Sequence, residues 1–189
     1  MGGRKVDLDQ VVIPASFIHV DGGRTDTYTP DGSFTRPYKT FQAATSDNHK
    51  LIFVNPGTYT GTDVVFGNGD IIVRGVGRDS VKLEFSITTG TGTFTGEGFE
   101  MGPATVPDPE DVSVILDVSL SSTGCFLSGI RFSYSRVSVA SDAIIQNCVF
   151  KHNTDNGGSE EPCIYTNTGN VLINSCVFSK DNSSGAIWQ

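Results

Sequence analysis

The stretch Ile144-Ile145-Gln146-Asn147-Cys148-Val149-Phe150 returns as Leu172-Ile173-Asn174-Ser175-Cys176-Val177-Phe178. The two match at nearly every apolar position, 28 residues apart. Phe126-Leu127-Ser128-Gly129-Ile130-Arg131-Phe132 is a third copy, 18 residues upstream of the first, and Glu97-Gly98-Phe99-Glu100-Met101 is a fainter fourth. A constant phrase at variable spacing describes one structural rung that recurs with loops of different length.

The phrase has a geometric meaning. In a flat strand, inward side chains recur every second residue. Ala143 and Ile145 keep that phase, but the next apolar pair is Cys148 and Phe150. Val171, Ile173, Cys176 and Phe178 slip in the same way, as do Ile71, Val73 and Val76. A one-residue slip turns an ordinary strand inside out. It is harmless where the chain bends, so that the strands on either side both face one interior. The slip residues are Gln146-Asn147, Asn174-Ser175, Ser128-Gly129 and Arg74-Gly75. Asn and Gly tolerate the left-handed conformation of such a corner. Stacking then places Cys148 over Cys176 and Phe150 over Phe178, about 4.8 Å per rung.

Composition agrees. Hydrophobic residues make up 37% of the 189 and charged residues 18%, with 22 glycines. That mixture suits many short strands and turns better than long helices. The formal net charge of −8, from 13 Lys+Arg against 21 Asp+Glu, offers no concentrated basic surface for nucleic acid. Cys125, Cys148, Cys163 and Cys176 form no CxxC pair, and no His stands at metal-ligand spacing from them. The start Met1-Gly2-Gly3-Arg4-Lys5-Val6-Asp7 lacks the apolar core of a signal peptide, and no apolar run has the length of a membrane span. A chain made in a reducing cytoplasm, with buried thiols, is the expectation.

Along the chain, residues 1–20 read as an arm with docking capacity, in which Phe17–Val20 alternates like a first strand. Residues 21–50 are a turn-rich entry segment with one short helix, predicted from Tyr38, Phe41 and Ala44-Thr45 on one face. From residue 51 to 189, short apolar runs alternate with Gly, Asn, Asp and Pro, which predicts an all-β parallel solenoid.

The segments Pro37-Tyr38-Lys39-Thr40-Phe41-Gln42-Ala43-Ala44 and Ile52-Phe53-Val54-Asn55-Pro56-Gly57-Thr58-Tyr59 resemble the entry to pectate-lyase-like right-handed parallel β-helix proteins. Ile71-Ile72-Val73-Arg74-Gly75-Val76-Gly77-Arg78 looks like the second phrase of that family, and the two cysteine phrases resemble its later coils. The resemblance implies a right-handed parallel β-helix with a short N-terminal capping helix, similar to bacteriophage tailspike and virion structural proteins. It implies polysaccharide lyases and hydrolases as the family's enzymes, and trimers as a frequent assembly.

Candidate chemistry is thin. A glycoside hydrolase needs two carboxylates facing across the sugar, about 5–10 Å apart. The candidates are Asp142, Asp155, Glu160 and Glu161, with Asp79, Glu84, Glu97 and Glu100 lower down; none recurs as an aligned pair. Asp108-Glu110-Asp111 is the best acidic cluster but lacks a Ca²⁺-loop spacing. Arg74, Arg131 and Arg136 read as basic residues that could share one face. His19, His49 and His152 lie far apart, and no triad partners are visible. Tyr134, Tyr165 and Trp188 are the exposed-aromatic candidates for glycan contact. No phosphate loop is credible, since no helix follows Gly90-Thr91-Gly92 or Gly96-Glu97-Gly98. No catalytic residue, metal or cofactor is therefore assigned.

The leading expectation is a structural component of a bacteriophage particle: capsid decoration, head or tail fibre module, or tailspike-like piece. It would sit in the virion as a homotrimer, bound to other virion proteins through its arm, without nucleic acid or membrane insertion. A polysaccharide-degrading enzyme acting on host surface glycans ranks second, and glycan binding without cleavage third.

Overall fold

The computed structural model describes residues 17–45, 51–105, 116–151, 163–179 and 187–188. Every ladder among them is parallel, and from β2 onward the strands fall into three sheets in rotation, with β1 added to the edge of the first sheet. The first sheet runs β1 (Phe17–Val20), β2 (Leu51–Val54), β5 (Ile71–Gly75), β8 (Phe94–Glu97), β11 (Cys125–Ser128), β14 (Ala143–Gln146) and β17 (Val171–Asn174). The second holds β3 (Gly57–Thr60), β6 (Val81–Glu84), β9 (Glu100–Met101), β12 (Arg131–Ser133), β15 (Val149–Lys151) and β18 (Val177–Ser179). The third holds β4 (Val64–Val65), β7 (Ile87–Thr88), β10 (Leu116–Leu120), β13 (Ser135–Val139), β16 (Ile164–Thr166) and β19 (Ile187–Trp188). Each circuit of the chain thus lays one strand on each sheet, an arrangement consistent with a β-helix.

The repeated phrase sets the register. Ile144 pairs with Leu172, Gln146 with Asn174, Val149 with Val177 and Phe150 with Phe178. The third copy sits one coil below, with Phe126 on Ile144 and Phe132 on Phe150. The faint fourth fits too, with Glu97 beside Ser128 and Met101 beside Phe132. The bends also fall where the phase slips. Gly98, Gly129, Asn147 and Ser175 have φ of 68°, 63°, 54° and 53°, and form one column at the corner between the first and second sheets. Hydrogen bonds from Gly98 N to Ser128 O, Gly129 N to Gln146 O and Asn147 N to Asn174 O tie that column together, at 3.2, 3.2 and 3.0 Å.

One predicted bend is absent. Val76, expected to point inward, is 60% exposed, and Gly75 is not among the positive-φ residues. Gly75 lies flat beneath the Gly98 carbonyl, with no room for a Cβ. Without the left-handed bend the phase does not slip, so the residue after Gly75 faces solvent. The turn 76–80, closed by Ser80 N and Val81 N on Gly77 O, then carries the chain to β6.

Inside the coils one continuous apolar core draws residues from strands of all three sheets, among them Ile52, Val73, Phe94, Leu127 and Ile145 from the first sheet. The corner residues Phe99, Ile130 and Cys148 are all buried, and Cys176 above them is partly so. One helix, α1 (Phe41–Thr45), is described; Tyr38, predicted to share its face, instead bridges to Val20. Phe41 and Ala44 are fully buried, and the Phe41 ring packs on Phe85 and Phe66 with centroids 5.1 and 6.4 Å apart.

Candidate functional site

The outward residues of the first sheet stand in two straight rows, because every coil repeats the same pleat in register. One row is Leu51, Ile72, Thr95, Phe126, Ile144 and Leu172, each paired with the next along the sheet. Ile144 is 40% exposed and Leu172 59%, while Leu51, Ile72 and Phe126 are half-buried. The second row is His19, Phe53, Arg74, Glu97, Ser128, Gln146 and Asn174. Its two full charges cancel: Arg74 pairs with Glu97 at 2.7 Å. His19 stacks on Phe53 at 5.6 Å and meets the edge of Phe34 at 5.4 Å. Burial holds its imidazole below the ordinary histidine pKa, and Nδ1 has no hydrogen-bond partner. The face is therefore apolar along one row and carries little net charge along the other. Sequence reasoning missed the apolar row. In each strand it alternates with core residues, so Phe126-Leu127 or Ile144-Ile145 reads as a single buried run.

The second sheet carries the charged cluster. Arg131 bridges Asp79 and Glu100, the latter at 3.1 Å. Lys82 pairs with Glu84 at 3.0 Å and donates to the Pro103 carbonyl. In register, Lys82, Glu100 and Arg131 alternate in sign along the outer face. On the third sheet, Asp117 accepts from Arg136, Ser119 and Ser138 at 3.3, 3.2 and 3.1 Å. Tyr165, 46% exposed, stands beside Ser138 and Trp188 in the same ladder.

The predicted site residues are thus dispersed. Arg74, Arg131 and Arg136 do not share a face: they lie on the first, second and third sheets, because a corner intervenes between each pair of strands. Glu97 is held by Arg74, Glu84 by Lys82, and Asp79 and Glu100 jointly by Arg131. Asp142 fastens one coil to the next, accepting from Asn170 N at 2.7 Å. Asp63 and Asp70 do the same for the amides of Ser86 and Thr93. Tyr134 sits at a corner with φ of 52°. Asp155, Glu160, Glu161, Asp108, Glu110, Asp111, His49 and His152 lie outside the described residues. Among the described residues, no three His, Cys, Asp or Glu side chains gather as a metal would require.

The cysteine prediction concerns geometry. Gln146 on Asn174 and Val149 on Val177 bracket Cys148 and Cys176, and Val177 N donates to Cys148 O at 2.9 Å. Cys148 therefore lies directly beneath Cys176. Burial, with the Cys176 thiol as a neighbour, pushes the Cys148 thiol up to about 12, and burial raises Cys163 to about 11. Neither is poised as a nucleophile at neutral pH. No family model matches this chain, and neither a curated protein nor a solved structure matches it.

Proposed function

We propose that the chain is a right-handed parallel β-helix, closed at its N-terminal end by α1, and that it serves as a structural component of a bacteriophage particle. In this reading it is a capsid decoration, a head or tail fibre module, or a tailspike-like attachment piece. Three copies pack side by side through the outer face of the first sheet, and residues 1–20 hold the trimer to other virion proteins. The observation that carries the reading is the outward apolar row from Leu51 to Leu172. A row in register in which Ile144 and Leu172 are exposed and Leu51, Ile72 and Phe126 half-buried favours contact with another protein surface. Chains with a formal net charge of −8 repel one another, so copies meet at least cost on a face whose ions cancel. The buried Phe41 and Ala44, packed on the first coils, support the capping role of α1. A cap of this kind shields apolar side chains and unpaired strand edges.

Immunogold electron microscopy of purified particles tests the location: label on particles is the expected result, and its absence from every particle fraction removes the reading. Deleting residues 1–16 keeps β1 in place, and should abolish particle binding without changing the β-sheet circular dichroism. Particles that retain the truncated chain would exclude the docking role.

A further inference from the structure

We infer that Cys148 and Cys176 form an oxidisable dithiol, which a disulfide-class oxidant closes into a bond fastening one coil to the next. The inference rests on the corner geometry alone and is independent of the particle reading. Each cysteine follows a residue in the left-handed conformation, Asn147 at φ 54° and Ser175 at φ 53°. Identical bends turn both side chains to the same side, and the ladder holds them one coil apart. Asn147 N donates to Asn174 O at 3.0 Å and Val177 N to Cys148 O at 2.9 Å, so the corners cannot slide past each other. Neighbouring strands lie about 4.8 Å apart, inside the Cα range of roughly 4.4–6.8 Å that disulfides span. The bond prefers Cβ atoms about 3.8 Å apart, so closure draws the corners together by roughly 1 Å.

The partners differ in access. Cys148 is fully buried, and its Sγ donates to Gln146 O at 3.2 Å. Cys176 is partly exposed, and its Sγ donates to Ile145 O and Asn174 O at 3.5 and 3.4 Å. Both are thiols in the structure. The order of events follows. With glutathione disulfide as oxidant, the Cys176 thiolate attacks one sulfur of the oxidant and expels a glutathione thiolate, which takes up a proton. In mildly alkaline buffer the Cys148 thiol then loses its proton to solvent base, and the thiolate attacks the Cys176 sulfur and expels the second glutathione. Two protein thiols give up two protons and two electrons, and one oxidant disulfide becomes two thiols. Cys125 stacks on Ala143, and Cys163 precedes β16 in the third sheet, so neither stands in this column.

The test uses the full chain, reduced and then exposed to glutathione disulfide in mildly alkaline buffer, with combined trypsin and chymotrypsin mapping under non-reducing conditions, since a cut after Tyr165 or Leu172 is needed to part Cys163 from Cys176. The expected product is a single cross-link joining the Cys148 and Cys176 peptides. Closing this loop should raise the thermal midpoint by about 5–10 °C, reversed by reductant. Cys148→Ser should retain a glutathione adduct on Cys176, because no second thiol is present to expel it. Four unmodified thiols in folded protein, under conditions that oxidise the unfolded chain, would overturn the inference. So would a persistent Cys176 adduct in the wild type, or a cross-link between any other pair. The wild-type map decides the matter even if a variant fails to fold.

Discussion

Phe150 stacks face to face on Phe178, ring centroids 5.0 Å apart and planes within 7° of parallel, and on its other side it stacks on Phe132 at 4.9 Å. Three aromatic rings therefore form a pile along the second sheet, one per coil. Phe150 has a neighbour above and below, and Phe178 has a described neighbour only beneath. Phe150→Ala is expected to cost about 3–5 kcal/mol, the range for a buried aromatic truncated to Ala. Phe178→Ala should cost less, since Phe178 is only partly buried. Urea unfolding of both variants checks the order; equal losses would mean that a ring's place in the pile and its burial do not set its cost.

Replacing the corner residues should separate backbone strain from packing. A non-glycine residue held left-handed costs about 1–2 kcal/mol relative to glycine. Ser175→Gly is therefore expected to raise stability by up to about 1 kcal/mol, part of the gain being lost to the freer unfolded chain. Asn147→Val, which puts a β-branched residue in the same conformation, should lower it by about 2 kcal/mol. The shift in urea midpoint, at unchanged m-value, is the measurement.

Association should fail when the outward apolar row is broken. Ile144→Asp and Leu172→Asp together place two carboxylates on the first sheet without touching the core. Light scattering is expected to give a monomer, with the far-ultraviolet spectrum unchanged. An undiminished oligomer would show that another face makes the contact.

Alkaline pH should weaken the fold through its buried thiols, measured in reductant. Cys148 ionises near pH 9 when unfolded and is pushed up to about 12 when folded, chiefly by burial. A raised pKa means that this contribution is fully present below pH 9, and is lost as pH rises from 9 through 12. Three pH units correspond to about 4 kcal/mol as an order of magnitude. Cys163, raised to about 11 by burial, adds to the decline. Cys148→Ala should lower the starting stability and flatten this alkaline slope; a slope unchanged by the substitution would assign it to other groups.

The register was legible because the phrase repeats its own defect. The step from Ile145 to Cys148, copied from Ile173 to Cys176, locates a bend that no single strand would reveal. Val76 misled because Ile71, Val73 and Val76 carry the same spacing, while Gly75 lacks the left-handed bend that makes the spacing meaningful. The outward row was hidden for a different reason. Leu172 and Ile173 are both apolar, and composition cannot say which faces solvent until the pleat is fixed. The three arginines were misplaced because sequence distance carries no record of how many corners intervene.

The staples at Asp63, Asp70 and Asp142 each reach from one coil to the next and no further. A molecule assembled by such nearest-neighbour fastenings has no dimension that must be decided all at once. Adding or removing one complete circuit, cut at equivalent corners, changes its reach by about 4.8 Å and leaves every remaining junction as it was. Its length is thus a counted quantity, open to revision in whole steps by duplication or loss of a stretch of gene.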